Sequence, residues 1–315
     1  MKKTVGGFLS VILFSSILPA QNAPKVSIPE RYRKWLEEEV VYIITEKEKK
    51  VFLQLQTDKE KDLFIDSFWA MRDPTPGTPK NEYKDEHSRR IEYANEFLGR
   101  ETSRPGWMTD RGKVYIILGA PRSIDRYDTQ GVYPTEVWFY QGDLGYPRLP
   151  PAFSIVFYKR NGIGEYRLYS PVDDGPFSLI YGYRGDRTDL SGAYDYLKNA
   201  APLLAKNSLS LLPNEFADPY HPSLTSQILL AEVSSSPQKK IDDIYADKFL
   251  KYKELIEVDH SANYISSTSE VKVIEDNSGI FFVNYSIEPS QLSLDFYEDK
   301  YYTNFELHGK ISDSN

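Results

Sequence analysis

Between Asp73 and Pro79 the chain reads DPTPGTP, three prolines and a glycine in seven residues. Proline lacks the amide hydrogen that helices and sheets use, and it pushes the residue before it out of helical geometry. A helix reaching this stretch must stop near Arg72, and another starts beyond it. Upstream, Arg31–Ile44 and then Glu46–Met71 carry apolar residues at mixed three- and four-residue spacing, with Phe64, Phe68 and Met71 on one stripe. Thr57 and Glu60 have the spacing of a capping box. Downstream, Asn81–Leu98 predicts a helix that places Tyr83, His87, Ile91, Ala94 and Leu98 on one face, with Gly99 as its stop.

The period then changes. Lys113–Leu118, Glu136–Tyr140, Phe153–Tyr158 and Glu165–Tyr169 are rich in β-branched and aromatic residues and are separated by Gly and Pro clusters, so all four read as strands. Asn161-Gly162, between the last two, is a hairpin signal because both turn residues need positive φ. Helical spacing returns from Asp189 to Tyr252. There Leu190, Ala193, Leu197, Ala201 and Leu204 form one stripe, Ile241, Ile244, Tyr245 and Phe249 form another, and Pro213 and Pro222 interrupt the region.

Beyond Ile256 the pattern is β again, over Val271–Ile274, Ile280–Ile287, Leu292–Tyr297 and Tyr301–Ile311. The turns expected here are Asn277-Ser278-Gly279 and Glu288-Pro289-Ser290. A sandwich domain needs ~7 strands, so the expectation is a partial sandwich and a natural chain that continues past residue 315.

The first twenty residues, MKKTVGGFLSVILFSSILPA, place two lysines before an apolar run and end on a small residue. This is the layout of a signal peptide cut after Ala20 or Ala23; an uncleaved anchor is the other reading, and the run is short for a span of ~20 apolar residues. The expected location is secreted or periplasmic, with no membrane span once the peptide is removed. The chain has no cysteine, so packing alone must hold it in an oxidising compartment. Its formal net charge of −8, with basic residues scattered, argues against a nucleic-acid partner.

The stretch PGWMTDRGKVYIILGAP (Pro105–Pro121) reads as a turn feeding a buried strand. Thr109 and Asp110 can bond nearby amides, Gly112 permits unusual backbone angles, and Trp107 offers a large cover for one end of a sheet. Together with FWAMRDPTPGTPKNEY (Phe68–Tyr83) and EHSRRIEYANEF (Glu86–Phe97), it resembles the bacterial GWxTD-domain family, through Gly106, Trp107, Thr109 and Asp110. The likeness covers about residues 46–180. It implies export and a later β-domain, and it supplies no activity.

The candidate polar constellation is Arg72, Asp73, Asn81, Glu82, Glu86, Arg90 and Asn95, with Trp107, Thr109, Asp110 and Arg111 of the motif. Helical spacing puts Glu82, Glu86 and Arg90 on one face, which fits an acid–base pair or a lattice clamping the proline loop by carboxylate–arginine forks. His87 lies on the apolar stripe, as a hydrogen-bonded core histidine or as a ligand or base. The four histidines, His87, His221, His260 and His308, share no metal-ligand spacing, so neither a metal nor a cofactor is expected. GAPRS lacks the phosphate-loop pattern, no serine sits in a G-x-S-x-G elbow, and Asp173-Asp174-Gly175 and Arg184-Gly185-Asp186 read as turns. Tyr127, Tyr133, Tyr140 and Tyr146 fit either a platform for sugars or peptides or the cover of a half-buried sheet.

The expectation is therefore an α+β chain. A signal peptide at 1–20 precedes a GWxTD module at 29–186, with helices at 31–98 and a small, mostly antiparallel sheet at 105–186. A helical connector at 187–254 and a partial β-sandwich at 255–315 follow. The expected function is non-catalytic binding of an envelope protein or polymer, with a hydrolase of envelope polymers using Glu82 or Glu86 as the rival.

Overall fold

The computed structural model describes residues 28–252, apart from Gly77 and Pro79, and strand segments at 267–275, 281–289, 295–297 and 300–302. The segment expected as a signal peptide, His260, His308, the turn expected at 277–279 and most of the strand expected over Tyr301–Ile311 lie outside the described residues.

Helix α1 (Glu30–Lys34) continues into a π-helical turn, Trp35–Glu39, and the chain then turns into α2 (Glu46–Gln54) and α3 (Asp58–Ala70). The helix expected over Arg31–Ile44 thus ends early, and the span expected over Glu46–Met71 is two helices. The cause is a pair of capping boxes. Thr45 with Glu48 opens α2, and Thr57 with Glu60 opens α3, each threonine accepting an amide hydrogen while the glutamate returns the bond. Lys61 Nζ donates to Leu55 O at 2.7 Å and closes the break.

These helices bury an aromatic core in which Trp35 meets the rings of Phe52 at 4.8 Å and Phe68 at 5.1 Å, with Phe64 behind. Met71, expected on the same stripe, is 46% exposed, because α3 ends at Ala70 and the chain turns away there.

After the proline loop, α4 (Glu82–Phe97) is capped by Asn81, whose Oδ1 accepts the Lys84 amide at 2.9 Å. It packs against α5 (Asp110–Leu118). The strand expected over Lys113–Leu118 is this helix. Thr109 caps its start and Gly119, at φ +79°, ends it. Being buried on nearly every side, VYIIL has no polar alternation to betray its period.

The sheet is an antiparallel meander of β1 (Ser123–Tyr127), β2 (Thr135–Gln141), β3 (Ala152–Lys159) and β4 (Tyr166–Leu168). β1 was not expected; its sequence, SIDRY, is too short and polar to signal a strand. The Asn161-Gly162 turn joins β3 to β4 with φ of 56° and 78°, as its sequence predicts. Register pairs Trp138 with Ile155 and Tyr140 with Phe153 on the face toward α5, where Tyr115 meets Trp138 edge-on at 6.3 Å. β3 is buried on both faces.

Helices α6 (Leu190–Ala200), α7 (Pro202–Leu209) and α8 (Leu224–Lys239) share the core of the sheet through Ala193, Leu197, Leu204, Leu229 and Val233. Pro213 and Pro222 fall between α7 and α8. Helix α9 (Ile244–Tyr252) returns to the N-terminal core through Ala246. Further on, β5 (Ser267–Glu275) pairs antiparallel with β6 (Phe281–Pro289), and β7 (Asp295–Tyr297) with β8 (Lys300–Tyr302).

Candidate functional site

Every fixed position of Gly-Trp-x-Thr-Asp turns inward. The backbone of Gly106 lies so close to α4 that a Cβ there would sit 1.8 Å from Ala94 O. Trp107 is buried; its amide donates to Asn95 Oδ1 at 3.1 Å, and its carbonyl accepts the Tyr42 hydroxyl at 2.8 Å. Met108, the free position, is 42% exposed.

Thr109 Oγ1 accepts the Gly112 amide at 3.0 Å and donates to Gly106 O at 2.8 Å. Asp110 Oδ2 accepts the amide of Leu168 on the edge strand β4 at 2.7 Å. Arg111 bridges Glu101 at 2.7 Å and Glu136 at 3.3 Å while lying over the Tyr166 ring. Gly112 is required by close approach too, since a Cβ would meet Gly106 O at 1.9 Å. The motif is a clasp that joins α4, α5 and β4. Thr109→Ala, which removes a buried helix cap, should cost about 1–2 kcal/mol in urea unfolding while Thr109→Ser costs much less.

Arg72 and Glu48 form a second junction. Their side chains are 1% and 0% exposed and meet in two parallel bonds of 2.8 Å. Arg72 also donates to Phe68 O and Ile43 O, and Tyr245 of α9 donates to Glu48 Oε1 at 2.6 Å. Asp73 accepts the Thr75 amide within the proline loop, and Asn81 Nδ2 ties that loop to Trp69 O.

The remaining candidates meet at a cleft of about 260 Å³. One wall is α4, with Glu82, Glu86 and Arg90 on successive turns as the sequence predicts; the other holds Leu144, Tyr146 and Lys240. Glu86 binds Arg89 and Arg90, both at 2.8 Å, and Arg90 continues to Ile116 O and Ile117 O at the end of α5. Glu82 accepts the Thr75 hydroxyl, and that bond, with its own backbone amide, lowers its pKa.

His87 is buried between Trp69 and Tyr83, with Nε2 2.6 Å from Glu39 O. Burial, with the cations of Arg90 and Arg72 adding to it, lowers its pKa to about 4. The ring is therefore neutral at pH 7 and donates to that carbonyl. Unfolding lets it take up a proton, so stability present above pH ~6.5 is lost as pH falls toward 4, by roughly 2–3 kcal/mol. Urea midpoints measured across that range should fall, and His87→Gln should flatten the slope.

The four tyrosines form no single platform. Tyr140 is buried with its hydroxyl on Gly119 O, whereas Tyr146 lines the cleft with its hydroxyl on Ile117 O. Asp174 accepts bonds from Tyr158 and Ser170, and Asp186 from Thr188, which makes both acids turn residues. Among the described residues no group of three or more His, Cys, Asp and Glu side chains could hold a metal ion, and no helix is long and apolar enough to cross a membrane.

Glu48, Glu136, Tyr42 and Lys240 were not singled out from sequence. Thr45-x-x-Glu48 repeats the capping-box spacing read at Thr57, so Glu48 as a cap was open to detection. Its pairing with Arg72 was not.

Fold and junction together define a class: an α+β module in which a tryptophan-centred turn fastens a helix pair to the edge of a four-stranded antiparallel sheet. The family model of the GWxTD domain matches residues 20–168, and the chain carries that domain. The match starts earlier than the likeness traced over 46–180 and ends at Leu168, the residue whose amide Asp110 holds. No curated protein and no solved structure matches the chain.

Proposed function

We propose that this is an exported, non-catalytic module that binds a protein or polymer of the bacterial cell envelope. Support comes from the state of the polar set. Glu86 is neutralised by two arginines, Glu82 is held as a carboxylate, and neutral His87 has its Nε2 committed to a carbonyl. An acid–base pair needs one carboxyl with a raised pKa, and Glu82 shifts the other way.

Export rests on the N-terminal layout, and N-terminal sequencing of the mature protein, starting after Ala20 or Ala23, tests it. The paired strands β5–β6 and β7–β8 are read as part of a β-sandwich-like domain acting in assembly; successive antiparallel hairpins are its building unit.

The rival hydrolase is favoured by one observation, the cleft that Glu82 and Glu86 line. Incubation with isolated envelope polymer separates the two readings. The expected result is sedimentation of the protein with the polymer and no soluble fragments above background. Release of fragments at a rate abolished by Glu86→Gln would establish the hydrolase instead.

A further inference from the structure

We infer that the α4 cleft binds a small zwitterion of amino-acid or dipeptide size, its ammonium group met by Glu82 and its carboxylate by Lys240. The inference rests on reading the protein as a binder, and it names what that binder's cleft takes.

The argument is one of subtraction. Four ionic side chains line the cleft: Glu82, Glu86, Arg90 and Lys240. Glu86 and Arg90 neutralise each other at 2.8 Å, and the Arg90 guanidinium is further committed to the two carbonyls that end α5. What remains is one carboxylate and one ammonium. Glu82 is exposed in the first turn of α4; its carboxylate takes bonds from the Thr75 hydroxyl and its own backbone amide and has no ion pair among the described residues.

Lys240 is exposed at the end of α8 and makes no ion pair or hydrogen bond among the described residues. Its ammonium lies 5.8 Å from the Tyr146 ring, its contact with the wall. The two residues stand on different walls, Glu82 on the helix and Lys240 beside the Leu144–Tyr146 loop. A simple anion would meet Glu82 and a simple cation would meet Lys240, each a like-charge encounter. A ligand carrying both charges satisfies both.

The space between is walled by Tyr83, Tyr146, Leu144 and Ile116, suited to a short apolar body. At about 260 Å³ it falls below the ~300–1,000 Å³ typical of drug-sized ligands. That sets the scale at an amino acid or a dipeptide, the size of a free peptide end.

Titration calorimetry of the full chain with alanyl-leucine, N-acetyl-alanyl-leucine and alanyl-leucine amide tests this, with the titrant checked for cleavage afterwards. The free dipeptide should bind at least tenfold more tightly than either blocked form. Lys240→Gln should abolish the preference over the amide alone, and Glu82→Gln the preference over the acetylated form alone. Both side chains are exposed, so unchanged melting curves will show that the variants fold. Absence of heat from the free dipeptide, equal binding of all three, or preferences that survive both substitutions would overturn the assignment. Failure to bind without cleavage leaves the non-catalytic reading standing, whereas cleavage of the dipeptide would end that reading as well.

Discussion

Arg72→Ala is expected to destabilise the N-terminal helical core by about 3–5 kcal/mol, because it leaves the Glu48 carboxylate buried without its cation. Glu48 is 0% exposed, and the residues that still reach it, the Thr45 amide and the Tyr245 hydroxyl, are neutral donors. Water filling the space left by the guanidinium brings no compensating charge. Four segments converge on the pair: the α1–α2 connection through Ile43 O, α2 through Glu48, α3 through Phe68 O and α9 through Tyr245. The loss should therefore be cooperative. Tryptophan fluorescence reads it directly, since Trp35 and Trp69 lie in this core.

Arg72→Lys should recover little. A lysine is a point charge and cannot make two parallel bonds to the carboxylate together with two bonds to carbonyls. The double variant Arg72→Met with Glu48→Met should be less harmful than Arg72→Ala, because no charge is left behind. If Arg72→Ala lost under about 1 kcal/mol, the pair would not hold the core together.

Gly106→Ala should cost at least about 3 kcal/mol, the top of the usual range for overpacking, and lower the melting temperature by roughly 6–12 °C. The added methyl would lie 1.8 Å from Ala94 O and 2.5 Å from Ala94 C, and backbone of a capped helix cannot step aside as a side chain can. The 3-10 turn Gly106–Met108 must lift off α4, pulling Trp107 from Asn95 and disturbing the Thr109 cap. Met108→Ala, one turn position away on the exposed side, should stay within about 0.5 kcal/mol. A melting curve for Gly106→Ala that overlays the parent would remove close approach as the reason for glycine in the motif.

Most of the helical architecture was legible because its signals are short-range. The proline loop ends α3, Asn81 opens α4, Thr57 with Glu60 opens α3, and Asn161-Gly162 turns the β3–β4 hairpin, each within a few residues of its cause. The failures share a different cause. VYIIL reads as a strand by composition, yet it is a helix because α4, the sheet and α8 enclose it and remove the need for a polar face. SIDRY reads as a loop, yet it is a strand because β2 offers it a partner in register from Ser123↔Phe139 to Tyr127↔Thr135.

The candidate site divides the same way. Spacing alone put Glu82, Glu86 and Arg90 on one face, and the i,i+4 pair of Glu86 with Arg90 follows from it. What else surrounds that face depended on the far ends of α5 and α8. Arg90 reaches Ile116 O and Ile117 O, and Lys240 arrives at the cleft from another helix.

By itself, the sequence determined where α3 starts and stops, where α4 starts, where β3 turns into β4, and that a tryptophan-bearing turn follows a proline-broken helix pair, because caps, prolines and glycines act on neighbouring backbone. Only the tertiary structure decided that Arg72 would pair with Glu48, that Gly106 would touch α4, and that Lys240 would stand across a cleft from Glu82. Those pairings join segments distant in the chain, and burial, which no local pattern encodes, selects among them.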